Sequence, residues 1–110
     1  MKRFMLIFCM LLIAGCAEIT DETDFKGAVD ALEAVLDSED WQLINEKVTA
    51  IEEQYSRSKW KLQLLGDEDE YESLQESVNH LKTAAKSKDK SECEKELTTI
   101  RTYLDQIYSL

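Results

Sequence analysis

Apolar side chains recur every three or four residues through most of the chain after residue 24, which is the spacing of one face of an α-helix. The clearest run predicts a helix of about 25 residues with one narrow apolar seam, formed by Trp41, Ile44, Val48, Ile51, Tyr55, Ser58, Leu62 and Leu65. A helix before it carries Phe25, Ala28, Val29, Leu32, Val35 and Leu36. A third helix carries Tyr71, Leu74, Val78, Leu81 and Ala85. A fourth carries Cys93, Leu97, Ile100, Leu104 and Ile107.

Turn signals separate these four segments. The first helix is expected to begin near Asp21 to Thr23 and to break around residues 37–39, where Asp37 and Ser38 offer a new N-cap and Glu39 and Asp40 fall in the first turn. Gly66 suits a left-handed cap, and Asp67 with Glu70 and Asp89 with Glu92 resemble capping boxes. Because these turns recur too soon for a long rod, the sequence predicts an all-α fold. We expect a small up-and-down bundle of three to four antiparallel helices over residues 24–110.

The N-terminus has a different character. Two basic residues precede the uninterrupted apolar run Phe4–Ala14, the layout of an export signal, and Glu18 follows too early for the roughly 20 apolar residues of a spanning helix. An uncleaved anchor is therefore the weaker interpretation. Leu12-Ile13-Ala14-Gly15-Cys16 resembles the lipobox of bacterial lipoproteins. The resemblance implies a signal peptide over residues 1–15, a diacylglyceryl group on Cys16 and fatty acyl chains such as palmitate.

Residues 16–23 would then form the acylated cysteine and a short tether, which reaches at most about 25 Å when extended. This arrangement places the protein on the extracytoplasmic face of the cell membrane. Since two acyl chains hold a protein to a bilayer far more firmly than one, the membrane is a partner through Cys16. In an up-and-down bundle, the Gly66-Asp67 turn and the C-terminus would face the membrane, and the Ser38 and Lys88 turns would face outward.

Composition and charge narrow the possible partners. The chain has no proline and only three glycines, which suits long helices. Removing residues 1–15 takes away Lys2 and Arg3, so that 11 basic side chains remain against 23 acidic ones and the formal charge changes from -10 to -12. This acidity argues against nucleic acid as a partner. Cys9 lies inside the leader and Cys16 at its end, so Cys93 is the remaining cysteine; its place on an apolar stripe favours a buried hydrophobe over a redox role.

Two polar clusters could carry chemistry. Glu72, Glu76 and His80 fall on one helix face and could hold a divalent metal, but a firm zinc site gathers ligands from more than one segment, so a solvated face is the favoured interpretation. The acids from Asp67 to Glu72 lack the glycine and the closing glutamate of a calcium loop, and they suit the start of a helix better. No nucleophile arrangement, phosphate loop or cofactor motif is present, so we expect neither an enzyme nor a cofactor.

One tryptophan falls outside the apolar seam of the long helix. Arg57, Trp60, Lys61 and Leu64 share a face at i, i+3, i+4 and i+7 and form a possible interaction surface. A tryptophan with basic neighbours suits the headgroup region of a membrane. Packing of Trp60 against the first or fourth helix is the alternative, and it is the interpretation that we favour.

The chain resembles an uncharacterised family of small helical proteins of Gram-positive bacteria that is known only as a domain of unknown function. The resemblance covers most of residues 30–108 and rests on Trp41, on Trp60 with its basic flanks, on the acidic turn 66–70 and on the helix from Leu97 to Leu104. Members carry a histidine at that turn, where this chain has Gly66-Asp67, so no role of that histidine is carried over. The resemblance implies a membrane-attached helical domain and no known activity.

These observations predict a membrane-anchored extracytoplasmic lipoprotein that serves as a structural or protein-interaction module, with an envelope protein as its expected partner. The alternative is a helical domain that binds a ligand or metal through the bundle interior or the face of Glu72, Glu76 and His80. The oligomeric state does not follow from the sequence.

Overall fold

The computed structural model describes residues 17–109, with side chains from residue 22, and every regular element in this part of the chain is an α-helix. The four helices are α1 (Ala17–Leu36), α2 (Trp41–Leu65), α3 (Glu68–Lys86) and α4 (Lys90–Tyr108). Each helix packs beside the next one along the chain, and α1 closes the bundle against α4. The prediction of an all-α up-and-down bundle is confirmed. No helix within residues 17–109 combines the length and apolar character needed to cross a bilayer.

The core is built from the four predicted apolar stripes. Its fully buried large side chains are Phe25, Val29, Leu32, Ile44, Val48, Ile51, Leu62, Leu74, Leu81, Ile100, Leu104 and Ile107. The flanking stripe positions Ala28, Val35, Trp41 and Leu65 are partly buried against this core. Cys93 is a free, buried thiol, as its place on the stripe of α4 predicts.

Helix α1 begins at Ala17, earlier than the start expected near Asp21 to Thr23. Asp21, Glu22 and Thr23, near which the helix was expected to begin, are instead its fifth to seventh residues. Residues 17–23, which belong to the predicted tether 16–23, rise about 10 Å as a helix, compared with roughly 25 Å if extended. Helix α1 consequently continues to the residue next to Cys16, which itself lies outside the described residues.

The turn between α1 and α2 differs from its prediction. The N-cap of α2 is Asp40, whose side chain accepts a hydrogen bond from the Leu43 N–H, so the expected cap at Asp37 or Ser38 is wrong. Ser38 instead donates from its hydroxyl to the Val35 carbonyl and accepts from the Asp40 N–H. Because Ser38 is bonded to the end of α1, the N-cap of α2 is Asp40, two residues after Ser38.

The turn between α2 and α3 contains Gly66 and Asp67. Asp67 caps α3 and accepts from the Glu70 N–H at 2.9 Å, as predicted. The predicted left-handed conformation of Gly66 is wrong, because its φ is -100° and its ψ is 166°. Crowding explains the glycine instead: a Cβ at this position would lie 3.0 Å from Cγ1 of Ile107 in α4.

The turn between α3 and α4 reverses the chain at Lys88. The Asp89 N–H donates to the Ala84 carbonyl and the Lys88 N–H donates to the Ala85 carbonyl, the bonding pattern of a Schellman motif. Lys88 adopts a φ of 57° in the position that this motif ordinarily reserves for glycine. Asp89 then caps α4 by accepting from the Glu92 N–H, as predicted.

Candidate functional site

Trp60 and Leu64 are exposed on the last turns of α2, with 61% and 75% of their surface open to solvent. They are the exposed large hydrophobic residues of the described part of the chain. The favoured interpretation, packing of Trp60 against α1 or α4, is therefore wrong. The reason is angular: Ser58 and Leu62 point inward, and a residue two positions from each lies about 200° around the helix.

Basic groups border these two side chains. Lys61 Nζ lies 5.5 Å from the centroid of the Trp60 ring, within the range of a cation–π interaction. Arg57 Nη2 donates to Oε1 of the buried Gln54 at 2.9 Å, which holds the guanidinium against the helix. We call Arg57, Trp60, Lys61 and Leu64 the Trp60 patch, and the structure brings all four onto one face of α2.

The Trp60 patch opens into a shallow cleft at one end of the bundle. The cleft is lined by Trp60, Lys61, Leu64, Leu65 and Tyr108. Tyr108, the last residue of α4, was missed at the sequence level. It follows Ile107, the last residue of the α4 stripe, and this proximity to the end of the bundle is the signal that could have identified it.

The acidic turn lies next to the Trp60 patch around α2. Gln63, three residues from Trp60, shares a separate cleft with Asp67, Glu68, Tyr71 and Glu72 of α3 and the preceding turn. No carboxylate among the described side chains lies within 4.0 Å of the charged groups of Arg57 or Lys61. The cleft of Trp60 and the acidic cleft are thus neighbours that have no residue in common.

The Trp60 patch lies at the same end of the bundle as the start of α1. Lys26 Nζ is 3.1 Å from Asp105 Oδ1, which places Lys26 about one turn before the end of α4. Ala17 is nine residues earlier in the same helix and therefore lies roughly 13 Å further along it, past the end of α4. The attachment point for Cys16 is consequently at the end where Trp60 and Tyr108 form their cleft.

The line of Glu72, Glu76 and His80 does not assemble as a metal site. His80 Nε2 lies 3.8 Å from Glu76 Oε1, and its Nδ1 lies 3.7 Å from Oε1 of Glu96 in α4. No three His, Cys, Asp or Glu residues of the described chain are grouped so that they could hold a metal ion. Glu96 was missed, although it lies three residues after Cys93 and four before Ile100 and so faces the apolar seam, where it is 5% exposed.

A pair of stacked tyrosines lies inside the bundle. The rings of Tyr55 and Tyr71 stack with centroids 6.0 Å apart, and the Tyr55 hydroxyl is buried without a hydrogen-bond partner. Burial, and secondly the neighbouring Tyr71 hydroxyl, raise the pKa of Tyr55 above its ordinary value. These tyrosines join α2 to α3 and contribute to the core.

Comparison with known proteins identifies one family. The family model described as "Domain of unknown function (DUF4363)" matches residues 18–110, which includes all of the described helices except the first residue of α1. The match confirms the expected uncharacterised family and extends over a longer range than the expected residues 30–108. No curated protein and no solved structure matches the chain.

Proposed function

We propose that this chain, which belongs to the DUF4363 family, is a lipid-anchored protein on the extracytoplasmic face of the cell membrane. Its helical bundle would serve there as a structural or protein-interaction module. The observation that carries the proposal is the sequence Leu12-Ile13-Ala14-Gly15-Cys16, which closes an apolar leader immediately before the first residue of α1. Diacylglycerol on the Cys16 sulfur would supply two acyl chains, enough for stable attachment to the bilayer.

The early start of α1 supports a close attachment. Because α1 begins at Ala17, no long extended segment separates Cys16 from the bundle. The end that carries the Gly66-Asp67 turn and Tyr108 would then face the membrane. The Ser38 and Lys88 turns, at the opposite end, would face outward and be accessible to an envelope protein.

Metabolic labelling tests the lipid anchor. The full chain is expressed in a bacterium that processes lipoproteins, with labelled palmitate in the medium, and compared with Cys16→Ala. We expect label in the wild type and none in Cys16→Ala. Cys93→Ala is the matched control and should retain the label, because Cys93 is buried in the bundle. Equal label in the wild type and in Cys16→Ala would refute the anchor.

Photo-crosslinking in cells tests the interaction role. A photoreactive amino acid is placed at Lys88, on the outward end, and in a second strain at Trp60. We expect crosslinks from position 88 to an envelope protein as a discrete band. If position 88 gives no protein crosslink while the anchored protein is present at normal levels, the outward end does not bind a partner and the interaction role fails.

A further inference from the structure

We propose that the Trp60 patch contacts an anionic bilayer surface and thereby holds the bundle tilted against the membrane. This inference rests on the proposed lipid anchor and adds to it a second, non-covalent contact. The surface that meets the Trp60 patch is the headgroup region of a bilayer that contains anionic lipid. The patch combines the two chemistries that such a surface selects, namely exposed apolar side chains and basic groups beside them.

The apolar half of the patch suits the membrane interface. Tryptophan is enriched at the level of the lipid headgroups, where its ring contacts the upper acyl chains and its N–H remains hydrated. Trp60 and Leu64 point away from the bundle and occupy neighbouring positions on α2, so both can enter the same layer of the bilayer. Lys61 lies over the Trp60 ring and can reach a lipid phosphate as the ring inserts.

Charge fixes which side of the bundle meets the lipid. Without residues 1–15 the chain has 11 basic side chains against 23 acidic ones, a formal charge of -12, so an anionic surface repels most of the molecule. Arg57 and Lys61 are among the cations with which no described carboxylate pairs, and they are the ones that share a face with the exposed Trp60 and Leu64. The nearby acids Asp67, Glu68 and Glu72 line a different cleft, which shares no residue with that of Trp60, Lys61 and Tyr108. Tilting the bundle toward the patch therefore brings Arg57 and Lys61 to the lipid.

The position of the anchor makes this contact reachable. Both the start of α1 and the cleft of Trp60 and Tyr108 lie at one end of the bundle. An acyl chain on Cys16 would hold the patch close to the bilayer, so the contact forms within a tethered molecule and needs only weak intrinsic affinity.

A second copy of the chain is the competing occupant. Trp60 and Leu64 together offer roughly 300 Å² of exposed apolar surface, below the roughly 450 Å² of non-polar area that each partner buries in a stable interface of standard size. The unpaired Arg57 and Lys61 would also face each other across a two-fold axis, where like charges repel. The membrane is therefore the better match in both area and charge.

The test measures depth in the bilayer with each tryptophan separately. The chain from Cys16 to Leu110, which contains every described helix, is coupled through the Cys16 thiol to a maleimide lipid in vesicles, and circular dichroism checks that it is helical. The vesicles contain phosphatidylcholine and phosphatidylglycerol, with bromine on the acyl chains near the headgroup. Trp41→Phe leaves Trp60 as the only tryptophan, and Trp60→Phe leaves Trp41, at the opposite end, as the matched control.

We expect bromine to quench Trp60 and shift its emission to shorter wavelength, while Trp41 remains unchanged. Arg57→Gln with Lys61→Gln should weaken the contact with anionic vesicles by roughly thirtyfold, about fivefold for each charge, and remove its preference over phosphatidylcholine alone. Unquenched Trp60 would overturn the inference. A blue shift that appears without quenching and grows with protein density would assign the patch to a second copy instead. Because the chemical coupling replaces natural acylation, failure of the palmitate experiment leaves this test valid, and failure of this test leaves the anchor intact.

Discussion

Lys88 adopts a left-handed backbone conformation that is costly for a residue with a Cβ. Its φ of 57° closes the Schellman motif between α3 and α4, and glycine adopts this conformation without the steric cost, which is about 1 kcal/mol. We expect Lys88→Gly to raise the free energy of unfolding by about 0.5–1 kcal/mol, measured by urea denaturation. Lys88→Ala is the matched control, because it removes the charge but keeps the Cβ. An equal gain in both variants would assign the effect to charge.

Cys93 carries a buried thiol whose ionisation depends on folding. Burial, and then the carboxylates of Asp89, Glu92 and Glu94, raise the pKa of Cys93 from 9.0 to about 11. Since the folded pKa is the higher one, the contribution of this thiol to stability is fully present below pH 9 and is lost as the pH rises toward 11.

We therefore expect Cys93→Val, which cannot ionise, to lose less stability than the wild type between pH 8 and pH 11, by about 1–3 kcal/mol. Urea denaturation at a series of pH values measures the difference between the two proteins, and groups common to both cancel. Parallel curves for the two proteins would mean that Cys93 titrates normally in the folded state.

Gly66, at the end of α2, packs closely against Ile107 of α4. Its backbone is extended, so alanine can adopt the conformation, but the new Cβ would lie 3.0 Å from Ile107 Cγ1. We expect Gly66→Ala to lower stability by about 1 kcal/mol through overpacking. In an Ile107→Ala background the same change should cost close to nothing, and a double-mutant cycle measures this coupling. An equal cost in both backgrounds would show that the penalty lies in the backbone of the turn.

The helices could be predicted from sequence, because each stripe repeats over several turns and one misplaced residue does not change the pattern. The residues that cap the helices are harder to predict from the sequence. Asp37, Ser38 and Asp40 are all good N-cap residues, and the choice of Asp40 depends on Ser38 bonding to the end of α1. The reason for Gly66 is a contact with Ile107, 41 residues away, which no local pattern contains. The exposure of Trp60 follows from its angle on α2, but a large aromatic ring favours packing in any prediction based on residue type.

Ion pairs between α1 and α4 determine where positive charge remains exposed on this acidic molecule. Arg101 of α4 pairs with Asp30 at 2.7 Å and with Glu33, and Lys90 pairs with Asp37 at 2.9 Å. These pairs join α1 and the turn after it to α4. Exposed ion pairs contribute about 0–1 kcal/mol each to stability, so their main effect is on where unpaired charge remains on the surface. Cations at the α1–α4 boundary are neutralised locally, and the basic groups of the Trp60 patch remain available for an external anion.

In the proposed lipid-anchored protein, the short connection between Cys16 and Ala17 would couple anchoring to the orientation of the whole molecule. We expect a flexible insertion of about twenty glycine and serine residues at this junction, spanning roughly 25 Å, to leave attachment to vesicles unchanged and to reduce bromine quenching of Trp60. The physical reason is effective concentration, which falls as a tether lengthens beyond the distance it must span. The same insertion after Leu110 is the matched control and should leave quenching unchanged. If quenching persisted with the insertion at Cys16, the patch would hold the bilayer by its own affinity, and the tilt of the bundle would come from Trp60, Leu64 and their basic neighbours alone.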